Sequence, residues 1–228
     1  MQLVRGLTRT LSLLVLAYLT LPPLQAQESP APPATPPVLE LGENTVTVRN
    51  VPPGGGVVLF GLAHETRQFI TTIVRREQIL RDADGDGSEV LELAQPLAVT
   101  SVWAAVDLQS GAVATVTPAG FPLNEFELRS GAIPAALNRV ELDLPMAEVL
   151  LVRPGVGAWG RRAGDGGASD RDGDTDGIIR LALAGMWSVG ESPPAPERFA
   201  PGDIIVVINP QTLGFAVLPV EGPGEGMS

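Results

Sequence analysis

The 228 residues carry 26 acidic and 15 basic side chains, one histidine and no cysteine, for a net charge of −11. Such an acidic balance disfavours nucleic acid and anionic lipid as partners, because both are held by clustered basic groups. The missing cysteine excludes a disulfide, an iron–sulfur cluster, a thiol nucleophile and a lipoprotein acylation site. A hydrophobic content of 44% excludes a wholly disordered chain, while 26 glycines and 22 prolines break it into short apolar runs of the all-β kind.

In chain order, the first feature is an address. Arg5 and Arg9 form a positive region, Leu11 to Leu21 an apolar run, and Leu24-Gln25-Ala26 ends on a small residue. This is the pattern of a secretory signal peptide over residues 1–26, cleaved after Ala26. The apolar run falls short of the roughly 20 residues of a spanning helix, and no later stretch is long enough to insert in a membrane. The mature chain is therefore expected to be exported, either periplasmic or extracellular. Residues 27–37 are proline-rich and read as a semi-rigid linker, and residues 221–228 as a disordered tail.

Between them one pattern is written twice. Asn44, Val46 and Val48 recur 94 residues on as Asn138, Val140 and Leu142, and Val57-Val58-Leu59 recur 92 on as Val149-Leu150-Leu151. Asp82-x-Asp84-x-Asp86-Gly87 with Leu91 and Leu93 recurs 90 on as Asp172-x-Asp174-x-Asp176-Gly177 with Leu181 and Leu183. Val102 to Gln109 recurs 102 on as Ile204 to Gln211, the change in spacing marking a twelve-residue insertion around 189–201. The period predicts two units, 38–120 and 137–220, joined by a connector over 121–136. In the first, strands are expected near 45–49, 56–62, 68–77, 88–94, 99–107 and 112–117. In the second they are expected near 138–144, 148–153, 157–162, 177–184, 203–209 and 213–219.

Six short strands per unit without a crossover helix predict two tandem antiparallel β-sandwiches from an internal duplication. The order of strands resembles immunoglobulin-like and fibronectin-III-like modules of secreted bacterial proteins, without the cysteine pair of true immunoglobulin domains. Units this small bury modest cores, so the two are expected to pack against each other.

The aspartate loops are the candidate metal sites. Asp82, Asp84 and Asp86, and likewise Asp172, Asp174 and Asp176 with Asp170 and Asp165 nearby, place alternating carboxylates around one point before a glycine. Calcium takes six to eight oxygens, and this is the first half of a helix–loop–helix calcium loop. Position twelve is Leu93 or Leu183 where that loop needs glutamate, so the motif itself is rejected. Two readings stay open: acidic turns before a strand, since aspartate caps its own turn, or calcium sites on sandwich loops, with magnesium as a variant.

No catalytic signature stands out. His64, followed by Glu65, lacks a partnered nucleophile, and Ser169-Asp170 has no nucleophile-elbow context. Trp103 alternates with Val102, Ala104 and Val106, so if those face the core it faces outward or into the junction of the units. With Trp159 and Trp187 it could form a sugar platform, but with three tryptophans in the whole chain interior positions are the expectation. The insertion 189–201 is either a recognition loop or a passive excursion. These residues predict a non-catalytic protein with a binding, adhesion or structural role at or outside the cell surface, its partner a protein or glycan. A carbohydrate-binding module is the alternative, and a small hydrolase with two carboxylates in a cleft a third.

Overall fold

The computed structural model describes residues 35–67, 70–97, 101–116, 133–134, 139–142, 146–164, 179–211 and 213–221. The expected signal peptide, most of the expected linker and connector, the second aspartate loop and the tail after Glu221 lie outside them. Residues Ala34–Ser228 form one compact unit.

The fold is all-β, with no helix among the described residues. Its strands are β1 (Val38–Leu41), β2 (Thr45–Arg49), β3 (Gly56–Arg67), β4 (Ile70–Arg81), β5 (Ser88–Glu92), β6 (Val102–Asp107) and β7 (Val113–Val116) in the first half. The second half has β8 (Ile133–Pro134), β9 (Arg139–Leu142), β10 (Met146–Arg153), β11 (Gly157–Gly164), β12 (Ile179–Ala182), β13 (Trp187–Ser188), β14 (Ile204–Ile208) and β15 (Phe215–Glu221). All twelve expected strands are present within a few residues of their expected ends. Three more, β1, β8 and β13, are short edge strands with no counterpart in the sequence pattern.

The first half pairs β1-β2-β5 in one sheet and β4-β3-β6-β7 in another. In the second half β9 pairs β12, and the larger sheet runs β13-β11-β10-β14-β15-β8. The central order β11-β10-β14-β15 therefore matches β4-β3-β6-β7, and β9-β12 matches β2-β5. Every pairing is antiparallel except β15 with β8.

Three apolar clusters lie between these sheets. Val46, Val48, Val57, Leu59, Trp103 and Ala105 fill the first sandwich. Leu142, Val149, Leu151, Trp159, Leu181, Ile205 and Val207 fill the second. A third cluster joins the halves: Val58, Phe60, Leu62, Val102, Ala104 and Val106 of the first meet Leu150, Val152, Val206, Ile208 and Phe215 of the second. The two larger sheets thus pack face to face, and the smaller sheets lie on their outer faces.

This layering explains the sequence of the central strands. A strand covered on both faces needs no polar side and reads as a continuous apolar run. Val102-Trp-Ala-Ala-Val106 is buried at every position for that reason. Equivalent residues of the two halves also face equivalent ways: Val57 and Val149 into their own sandwich, Val58 and Leu150 into the shared core.

Trp103 corrects the expected facing. It is wholly buried inside the first sandwich, while Val102, Ala104 and Val106 face the junction. Gly61, directly opposite on β3, leaves the space its ring fills, and a side chain there would collide with the indole.

Candidate functional site

The β4–β5 turn carries the described aspartate loop. Gly85 and Gly87 hold φ of 80° and 76°, a conformation that costs glycine nothing. Asp82 is 4% exposed and accepts from the Gly85 N–H at 2.8 Å and the Gly87 N–H at 3.2 Å. Asp84 accepts from Asp86 N–H at 3.3 Å, and Asp86 from Ser88 N–H at 2.7 Å. Val51 N–H donates to Gly87 O at 3.1 Å, tying the loop to the β2–β3 connection. Asp82 is therefore the staple of its own turn, each carboxylate oxygen taking one backbone N–H. Asp84 and Asp86 are exposed.

The three carboxylates still offer one oxygen each within 4.8 Å of one another. A hard cation satisfied by oxygen ligands fits such a donor set, with Asp82, Asp84 and Asp86 as the residues that could hold it. The second loop, with Asp170, Asp172, Asp174 and Asp176, lies outside the described residues.

Near this turn the loops of both halves meet around an open recess of about 370 Å³. Gly54 to Gly56, Arg81, Leu108 and Gln109 line it from the first half, and Gly155 to Gly157, Glu191 and Ser192 from the second. Gly155 N–H donates to Leu108 O at 2.7 Å and so bridges the halves at its floor. Among the described residues its lining holds one carboxylate, Glu191, and one guanidinium, Arg81.

The junction also holds a polar cluster. All five N–H donors of the Arg75 guanidinium are engaged: Nε with Glu77 Oε2 at 3.0 Å, Nη2 with Glu77 Oε2 at 2.5 Å and Val149 O at 3.1 Å, Nη1 with Glu148 Oε2 at 2.6 Å and Arg161 O at 2.9 Å. Its central carbon lies over the rings of Phe60 and Trp187, 4.8 and 4.6 Å from their centroids. Glu148, 1% exposed, takes a second ion pair from Arg162, and Trp187 Nε1 donates to Glu77. Two arginines and two glutamates balance the charge, as burial requires.

The insertion is a structural part of the second sandwich. Val189 and Phe199 are buried, and Phe199 packs in that core. Ser192 Oγ accepts from Ala158 N–H at 2.9 Å, and Pro193 O accepts from Trp159 Nε1 at 2.6 Å. Arg153 forks onto the buried Asp203 at 2.7 and 2.8 Å and reaches Arg198 O at 2.8 Å. The hydrogen bond to Asp203 holds the Arg153 guanidinium above its ordinary pKa.

The tryptophans are not gathered on one surface. Trp103 and Trp159 are buried in the two sandwiches, and only Trp187 is exposed, at 40%. A sugar platform of two tryptophans is therefore not formed. His64 and Glu65 lie in β3, opposite Ile73 and Thr72 of β4, and Ser169 lies outside the described residues.

The Arg75 cluster is the site that motif reasoning missed. Its signals were present: Glu148 is a lone charge in the apolar run Met146–Val152, and Arg161-Arg162 are paired charges in a strand. No helix of the described residues is long and apolar enough to cross a membrane. Comparison of the chain with family models, curated proteins and solved structures finds no match.

Proposed function

We propose that the chain is an exported, non-catalytic scaffold of two immunoglobulin-like or fibronectin-III-like sandwiches, derived by internal duplication, that binds or spaces proteins or glycans at or outside the cell surface. The observation that carries this reading is the pair of matching sheet orders packed on one shared core. Such a body holds its loops in fixed relation, and recognition sits on loops carried by a rigid frame. The order β1-β2-β5 over β4-β3-β6-β7 supports the immunoglobulin-like or fibronectin-III-like reading of the first half. The non-catalytic part is supported by the described buried carboxylates: Asp82 and Asp107 accept from backbone N–H groups of their own turns, Glu148 and Asp203 are held in ion pairs, and none of the four lines the recess. The aspartate loops would hold calcium as a brace between strands.

Two measurements test it. The protein recovered from outside the cytoplasm should have the mass of a chain beginning at Gln27, and recovery of an uncleaved cytoplasmic chain would overturn export. Melting in EDTA and then in millimolar calcium should show a rise that is lost when Asp172, Asp174 and Asp176 are changed to asparagine. A cation at about 100 times its dissociation constant adds roughly 2.7 kcal/mol, so an unchanged melt would leave the loops as turns.

A further inference from the structure

We propose that the outer edge of β4 over Ile70–Val74 is a docking edge for a second copy of the chain, the two β4 strands pairing antiparallel about a two-fold axis at Thr72. The proposal is independent of the proposed function and rests on the unequal treatment of the sheet edges.

Exposed strand edges are templates for pairing, and proteins blunt them with shortness, charge or proline. Among the described residues the other sheet-end strands, β1, β5, β7, β8, β9, β12 and β13, are no longer than five residues, while β11 and β15, paired on their outer sides only at Trp159–Gly160 and Val220–Glu221, carry Arg161-Arg162 and Pro219. β1 also follows Pro36-Pro37, and β5 carries Glu89 and Glu92. β4 has twelve residues and lies at the end of its sheet with its outer side unpaired among the described residues.

Half of that strand lacks support. β3 pairs with β4 over Gly56–Arg67 but with β6 only over Val57–Leu62. Among the described residues the stretch formed by 63–67 and 70–74 is therefore a two-stranded ribbon, a form marginally stable at best in water. Ile70-Thr71-Thr72-Ile73-Val74 consists only of β-formers, with no charge, proline or glycine. The next residue, Arg75, is turned to Glu77 and Glu148 and does not guard the edge.

A second copy fits this edge better than a charged partner. About an axis at Thr72, Ile70 meets Val74 and Thr71 meets Ile73, so no charges oppose each other and β-branched residues pair across the strands. The same patch serves both copies, as a two-fold interface requires, and the two four-stranded sheets become one of eight.

The absence of cysteine makes the test direct. Residues opposite one another in an antiparallel pair lie about 4.5–5.5 Å apart at Cα, within the range a disulfide spans. The purified protein should sediment as a dimer, and Ile73→Lys should abolish the dimer. Under mild oxidation Thr72→Cys should yield a disulfide-linked dimer, and Val90→Cys, exposed on β5, should not. A monomer at the highest soluble concentration would overturn the proposal. So would a dimer that Ile73→Lys leaves intact, or one that links through Val90→Cys and not Thr72→Cys. If Ile73→Lys fails to fold, the cysteine pair decides alone.

Discussion

Arg75 of β4 and Glu148 of β10 meet at 2.6 Å across the junction of the two halves, their side chains 10% and 1% exposed. Neither charge could be held there alone. Around them Glu77 and Arg162 complete a neutral set, and the Arg75 guanidinium carbon lies over the rings of Phe60 and Trp187. The shared apolar core supplies the drive to pack the halves, and this cluster fixes how they register.

Glu148→Ala should therefore be destabilising, because it leaves the buried Arg75 Nη1 without its carboxylate acceptor while Glu77 alone balances the charge. A loss of about 1.5–3 kcal/mol is expected. Arg162→Ala, which removes an arginine whose side chain is 53% exposed, should cost only about 0–1 kcal/mol. Urea midpoints of the two variants measure the difference, and equal costs would contradict the burial assigned to Arg75.

The insertion should behave as core. Phe199→Ala should cost about 3–5 kcal/mol, and Ser192→Ala about 1 kcal/mol through the lost bond to Ala158 N–H. Melts that leave both variants at the parent's stability would return 189–201 to the status of a free recognition loop.

The first aspartate loop should divide by residue. Asp82→Ala leaves the Gly85 and Gly87 N–H groups without their acceptor and should cost about 1–3 kcal/mol even in EDTA. Asp84→Asn and Asp86→Asn, at exposed positions, should stay within about 0.5 kcal/mol there. Equal costs for all three in EDTA would show that Asp82 is not the staple of the turn.

The Arg49 guanidinium, donating to Glu40 at 2.8 and 2.9 Å, holds the Glu40 carboxyl below its ordinary pKa. A carboxylate lowered in the folded state adds stability above its unfolded pKa of about 4.3 and loses it as the pH falls through the folded value. Glu40→Gln should accordingly lower the melting temperature at neutral pH and converge with the parent in acid. A difference that grows in acid would contradict the pair.

The strands were legible because β2, β9 and their neighbours are short apolar runs bounded by turn residues. The facing of β6 was not, since a strand buried on both sides removes the alternation that tells inside from outside. Trp103 could be assigned to a face only once the second half was seen to cover Val102, Ala104 and Val106. The Arg75 cluster was hidden for another reason. Its members come from β3, β4, β10, β11 and β13, and nothing in the spacing of Arg75 and Glu148, 73 residues apart, announces that they touch. The anchoring of the loop 189–201 was not legible because it rests on single residues, Val189, Ser192 and Phe199, whose partners lie in other strands.

The central claim is that the two halves share one core and unfold as one body. Native-state hydrogen exchange of the parent and of Phe60→Ala tests it most directly, with β3 and β6 reporting on the first half and β10 and β14 on the second. Phe60→Ala should lower the opening free energy of all four strands together, by about 3–5 kcal/mol. Loss of protection confined to β3 and β6, with β10 and β14 unchanged, would contradict the shared core and leave two independent sandwiches.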